Sequence, residues 1–199
     1  MARTKVCIAV ALCLVGFYVA VSCSKPARTL RVECDEAGLY QIDVAKWTYF
    51  KGSEETAWIY NVTDAVVKAK ASYAQPGTGS PTYPSDYSAQ IQSYQVTWGS
   101  NVKIPKTTGA LNVIVPSDLD GKTKVDLTFL LLPAVSKDTV TDLADLRGDP
   151  ESNVFFNGQL SAKVKIRFDG KDLLTDEDLS TEAEMTVVLA DYMDPNQLH

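Results

Sequence analysis

The chain has 199 residues, 45% of them hydrophobic, with 19 basic and 25 acidic side chains and a net charge of −6. That acidity excludes a nucleic-acid binder held by a basic surface, because phosphate binding depends on Lys and Arg displacing counterions. The one histidine is His199 at the C-terminal end, so Ser-His-Asp or Cys-His catalysis and His-based zinc sites lack a usable imidazole; the reading is of a chain with no cofactor and no enzymatic activity.

Arg3 and Lys5 precede an unbroken apolar run from Val6 to Val21, followed by Ser22 and Cys23. A basic start, a short apolar core and small residues at its end predict a cleaved export signal over residues 1–22, and the run is short for a transmembrane span. Ala20-Val21-Ser22-Cys23 resembles the lipobox of bacterial lipoproteins. The resemblance implies that Cys23 is acylated and becomes the mature N-terminus, that residues 23–28 are a short tether, and that Ser24, in place of Asp, goes with outer-membrane sorting. Two or more acyl chains give stable anchoring where one does not. Plain secretion after nearby cleavage is the alternative. Cys7 and Cys13 leave with the signal. Acylation of Cys23 then leaves Cys34 alone, whereas an unacylated Cys23 allows a Cys23–Cys34 disulfide in an oxidising compartment. Cys34 alternates with Leu30 and Val32, as a small buried hydrophobe on a strand does.

From residue 29 onward period-2 alternation dominates, and the predicted domain runs from 29 to 193 with a tail over 194–199. Strands are expected at Leu30 to Cys34, Tyr40 to Val44, Ala57 to Asn61 and Val67 to Tyr73. The segment Gln75 to Ser85 is rich in Pro, Gly, Ser and Thr and reads as a surface loop. Tyr87, Ala89 and Ile91 share one parity while Tyr94, Val96 and Trp98 share the other, so a β-bulge is expected near Gln92-Ser93. A strand at Leu111 to Val115 leads to a turn at Asp120-Gly121, and Val125, Leu127, Phe129 and Leu131 form the apolar face of the next. A helix is expected over about Thr139 to Arg147, capped by Asp138, with an apolar stripe of Val140, Leu143 and Leu146, stopped by Gly148 and Pro150. Leu160, Ala162, Val164, Ile166 and Phe168 alternate with Ser161, Lys163, Lys165 and Arg167, the cleanest half-buried strand. A turn is expected at Asp169-Gly170, then a last strand through Ala183, Met185, Val187 and Leu189.

Short strands with one apolar face each predict an all-β sandwich with one short crossover helix. The strand count, the Tyr94-Gln95-Val96-Thr97-Trp98 strand and the crossover resemble the immunoglobulin-like and fibronectin-III-like class, and more closely small bacterial lipoproteins built on one such domain. The immunoglobulin Cys pair is absent. Such a fold hosts many functions and decides none. Asp138, Asp142, Asp145 and Asp149 are candidate calcium ligands, since hard cations take several oxygens, yet their spacing matches no calcium loop. Tyr73, Tyr83 and Tyr87 flank the Pro/Gly-rich loop and are candidate ligand or partner contacts, the alternative being that Tyr73 and Tyr87 end strands and cover the edge of the core. Trp47, Trp58 and Trp98 read as core. The expectation is a non-enzymatic envelope lipoprotein, held to a membrane by its N-terminal lipid, that binds or scaffolds an envelope protein or glycan. The alternative is a carbohydrate-recognition or glycan-processing domain using the Tyr-bearing loop and acidic side chains.

Overall fold

The computed structural model describes residues 29–34, 39–51, 56–74, 88–118, 122–154 and 156–192. The signal, Cys23 and its tether, the loop from Gln75 to Ser85 with Tyr83, Tyr87, the Asp120-Gly121 turn and the tail from 194 lie outside them. Among the described residues the chain is mostly strand: β1 (Thr29–Cys34), β2 (Leu39–Asp43), β3 (Lys46–Lys51), β4 (Thr56–Asn61), β5 (Ala65–Ala74), β6 (Ser88–Trp98), β7 (Thr107–Asp118), β8 (Val125–Leu132), β9 (Gln159–Asp172) and β10 (Asp178–Ala190). No helix among them is long and apolar enough to cross a membrane.

Alternation becomes burial directly. Ala162, Val164, Ile166 and Phe168 are buried while Lys163, Lys165 and Arg167 face water, and β9 sits centrally between β6 and β10. A charged side chain on the inner face would be desolvated without a partner, which fixes the register. Eight strands form one sheet in the order β1-β5-β7-β6-β9-β10-β2, with β8 paired to β5, and β3 and β4 form a separate two-stranded sheet. The large sheet curls over on itself, bringing β1 against β10. Its interior holds a single cluster in which Phe129 packs on Tyr94 at 5.4 Å and on Phe168 edge-on at 5.3 Å.

Strand register sorts the molecule into two poles. Thr29 pairs with Ala74, Ala74 with Asp118, Ser88 with Pro116 and Ala89 with Asp172, so the described chain begins at the pole where β9 turns into β10. Ala190 pairs with Gln159 and with Asp43, and Trp98 lies opposite Val164. The end of β10, the β3–β4 hairpin that follows β2, and the helical segments therefore gather at the opposite pole.

The expected bulge is present: the register of β6 with both β7 and β9 shifts between Ile91 and Ser93. Two expectations are corrected. Asp169-Gly170 makes no turn; Gly170 is buried inside β9, where an added Cβ would lie 2.2 Å from the Gln90 carbonyl oxygen. That glycine serves a close backbone approach at the bulge, and the chain reverses over residues 173–177 instead. The single helix from Thr139 to Arg147 is replaced by two short ones, α1 (Ala134–Thr139) and α2 (Thr141–Ala144), broken by the extended backbone of Val140. Asp138 caps neither; β-branched Val140 buries its side chain and leaves helical geometry to do so.

Candidate functional site

The hairpin of β3 and β4 stands outside the large sheet, and its pairing sets four rings on one face. Trp47 lies directly opposite Tyr60 and Tyr49 opposite Trp58. Directly opposed residues of an antiparallel pair project to the same side. Ring centroids are 5.3 Å apart in the first pair and 5.0 Å in the second, both tilted by 53°, within the range of favourable aromatic pairs. Tyr60 is 45% exposed, and Trp47, Tyr49 and Trp58 are half-buried. Trp98 is core as expected, but Trp47 and Trp58 are not, because their hairpin packs outside the apolar interior.

Polar groups fix the base of this face. Asp191, fully buried just after β10, accepts from Trp47 Nε1 at 2.8 Å and from the Gly148 N–H at 2.7 Å, both on Oδ2. Arg147 stacks its guanidinium 4.9 Å from the Tyr60 ring centre and donates to the Lys137 carbonyl at 2.7 Å and to Asp138 at 2.6 Å. The cation over the ring face adds attraction to the ion pair. Lys137 is buried on α1 and donates from Nζ to the Asp43 carbonyl at 2.6 Å. Asp43 accepts from the Ala45 and Tyr192 N–H groups, and Asp64 accepts from the first N–H of α1 at 2.7 Å. Burial pushes Asp43 and Asp191 above the usual carboxylate value and Lys137 below the usual amine value. Among the described residues, Asp191 Oδ1 and Arg147 Nε are buried with no hydrogen-bond partner. This linked set ties β2, α1, the segment after α2 and the end of β10 to the root of the hairpin.

A second feature lies on the exposed face over the bulge. Ser93, Gln95, Thr108 and Ala110 border a shallow concavity of about 500 Å³ beside the Arg167–Asp169 pair, which is closed at 2.8 Å. An adjoining concavity of about 290 Å³ shares that pair and reaches Asp178 and Ser180.

The residues singled out from sequence are dispersed. Asp138 pairs with Arg147, and Asp142 accepts a long contact from the Lys103 N–H at 3.5 Å. The Asp145 carbonyl receives Asn157 at 2.7 Å. Asp149 caps the 3-10 turn Pro150–Ser152, and the Ser152 hydroxyl holds its carboxyl below the usual range. Among the described residues no three His, Cys, Asp or Glu side chains converge as a metal site. Tyr73 is no surface contact: it is fully buried, with its hydroxyl 2.5 Å from Asp172, because its parity places it on the core face of β5. The aromatic face itself had a legible signal, Trp47 and Tyr49 two apart and Trp58 and Tyr60 two apart, but it needs 46–51 to be a strand, which the alternation of Lys46 and Thr48 with those rings could have indicated.

The chain matches no protein-family model and no curated protein sequence.

Proposed function

We propose that the protein is a lipid-anchored envelope module, an immunoglobulin-like or fibronectin-III-like β-sandwich, that binds another cell-surface component through the aromatic face of the β3–β4 hairpin and performs no chemistry of its own. The observation that carries this reading is the placement of four rings at the pole opposite Thr29. A lipid on Cys23, followed by the tether of residues 23–28, holds the Thr29 pole near the membrane and turns the rings away from it. Trp and Tyr give large contact area with few rotamers to freeze, and they dominate binding hot spots. The hydrogen bond from Trp47 to Asp191 and the stacking of Arg147 on Tyr60 hold the face in shape beforehand, which lowers the cost of binding. Ser24 after the lipid-bearing Cys supports the outer membrane as location, and the curl of the sheet supports a sandwich.

Site-specific photo-crosslinking tests this reading. A photoreactive aromatic side chain in place of Tyr60, 45% exposed on the ring face, should capture one defined component in intact envelopes, and Tyr49→Ala with Trp58→Ala should abolish the capture. Capture that survives both substitutions contradicts the assignment. A carbohydrate-recognition domain is the second reading, favoured by the polar concavity around Arg167 and Asp169. Glycan binding that is lost in Arg167→Ala and kept in Trp58→Ala would select it.

A further inference from the structure

We propose that the β9–β10 turn is a second membrane contact, seating Leu173 and Leu174 in the interfacial layer of the bilayer that carries the lipid anchor; this rests on the anchored reading above. The two leucines are adjacent, 50% and 54% exposed, at the tip of the turn. The turn that presents them is held from the core. Asp172, fully buried, accepts from the N–H groups of Leu174 at 2.9 Å and Thr175 at 3.0 Å on one oxygen, and from the Tyr73 hydroxyl on the other. The Leu173 N–H donates to the Ser88 carbonyl at 2.9 Å, and Asp176 closes the turn in the left-handed region with φ of 56°. Leucines at a floppy tip could fold back onto the sheet, but these are braced outward by bonds to β5 and β6.

The path of the chain identifies what they meet. Thr29 pairs with Ala74, next to Tyr73, so the chain joins the fold at the pole that carries this turn. Cys23 precedes Thr29 by six residues (29 − 23), and an extended tether of that length reaches at most about 20 Å. An acyl anchor at Cys23 therefore holds this pole against the lipid, and exposed leucines there gain by leaving water. The surrounding charges are mixed: Lys171 pairs with Asp176 at 2.9 Å, Lys124 with Glu33 at 2.6 Å, and Glu177 and Asp178 are exposed. Among the described residues no basic excess selects anionic lipid, so the surface suited is zwitterionic.

The test uses the full mature protein purified from membranes and reconstituted in phosphatidylcholine vesicles, with and without bromine on the upper acyl chain. In the Leu174→Trp variant the added emission should be blue-shifted and quenched by the brominated lipid. The native Trp47, Trp58 and Trp98 lie toward the other pole and should be unchanged, which makes the wild type the background. Added emission that is equal in both vesicles, from protein that floats with them, overturns the proposal. Leu173→Trp supplies the same reading where Leu174→Trp fails to fold. The mass of residue 23 is read on the same sample. An unmodified Cys23 overturns the anchored reading, whereas a lipidated Cys23 with unquenched emission overturns the membrane contact alone.

Discussion

Replacing Gly170 by Ala probes a very close backbone approach between β6 and β9. The new Cβ would lie 2.2 Å from the Gln90 carbonyl oxygen, 3.0 Å from its carbon and 3.1 Å from Ile91 Cα, where real contacts of this kind stay at or above 3.0 Å. The strands must therefore part by at least 0.8 Å (3.0 − 2.2). β6 is held by β7 on one side and β9 on the other, and Ile91 is fully buried, so neither strand can swing aside. The cost falls at the upper end of overpacking, about 3 kcal/mol, or roughly 6–12 °C in melting temperature for a domain of this size. Urea unfolding of residues 24–199 measures it. Gly158→Ala is the comparator: its φ is 97° but nothing lies within 4 Å of the new atom, so backbone strain alone costs about 1–2 kcal/mol. A Gly170→Ala variant as stable as Gly158→Ala would refute the close crossing of β6 and β9.

Three further outcomes are expected. Ile166→Ala, at a fully buried position, should lose about 2–5 kcal/mol, while Lys165→Ala, which breaks only the exposed pair with Glu182, should lose far less; urea melts in the reverse order would overturn the register of β9. Tyr73→Phe should cost about 1–3 kcal/mol by deleting the buried bond to Asp172, and an unchanged melt would show that the bond contributes nothing to stability. Asp43 and Asp191 sit above the ordinary carboxylate value in the folded chain because burial disfavours their charge, so folding takes up protons there. Their contribution makes stability rise as pH falls through the raised folded values and level off at the ordinary value of 3.8. Subtracting the profile of Asp43→Asn with Asp191→Asn from that of the wild type should show this rise, and parallel profiles would contradict it.

Most of the fold is legible because a half-buried strand must alternate. Leu160 to Phe168 and Val125 to Leu131 could be assigned from parity alone, and the switch of parity between Ile91 and Tyr94 located the bulge. Gly170 misled because a glycine after Asp carries the same letters in a turn and at a close strand crossing, and only the approach of Gln90 separates the two. The helix misled because Val140, Leu143 and Leu146 have helical spacing, while the break at Val140 comes from tertiary burial. The candidate site was the least legible part. Lys137, Asp191, Asp43 and Arg147 are ordinary surface residue types in sequence and converge only when β2, β10 and the helical segments meet at one pole. Tyr73 stands beside a loop, as an exposed contact would, yet its parity with Val67, Ala69 and Ala71 assigns it to the interior.

The central claim is that the ring face of the β3–β4 hairpin is the binding surface, and the affinity of the component captured at Tyr60 for wild type and for Trp58→Ala tests it most directly. Trp58 lies outside the core, so the variant should stay folded and lose little more than the ring pair with Tyr49, about 0.5–1.5 kcal/mol. Truncating a hot-spot Trp costs about 2 kcal/mol or more, roughly 30-fold in Kd, and a loss of that size in a folded variant is the expected result. An unchanged Kd for a folded Trp58→Ala variant would contradict the claim.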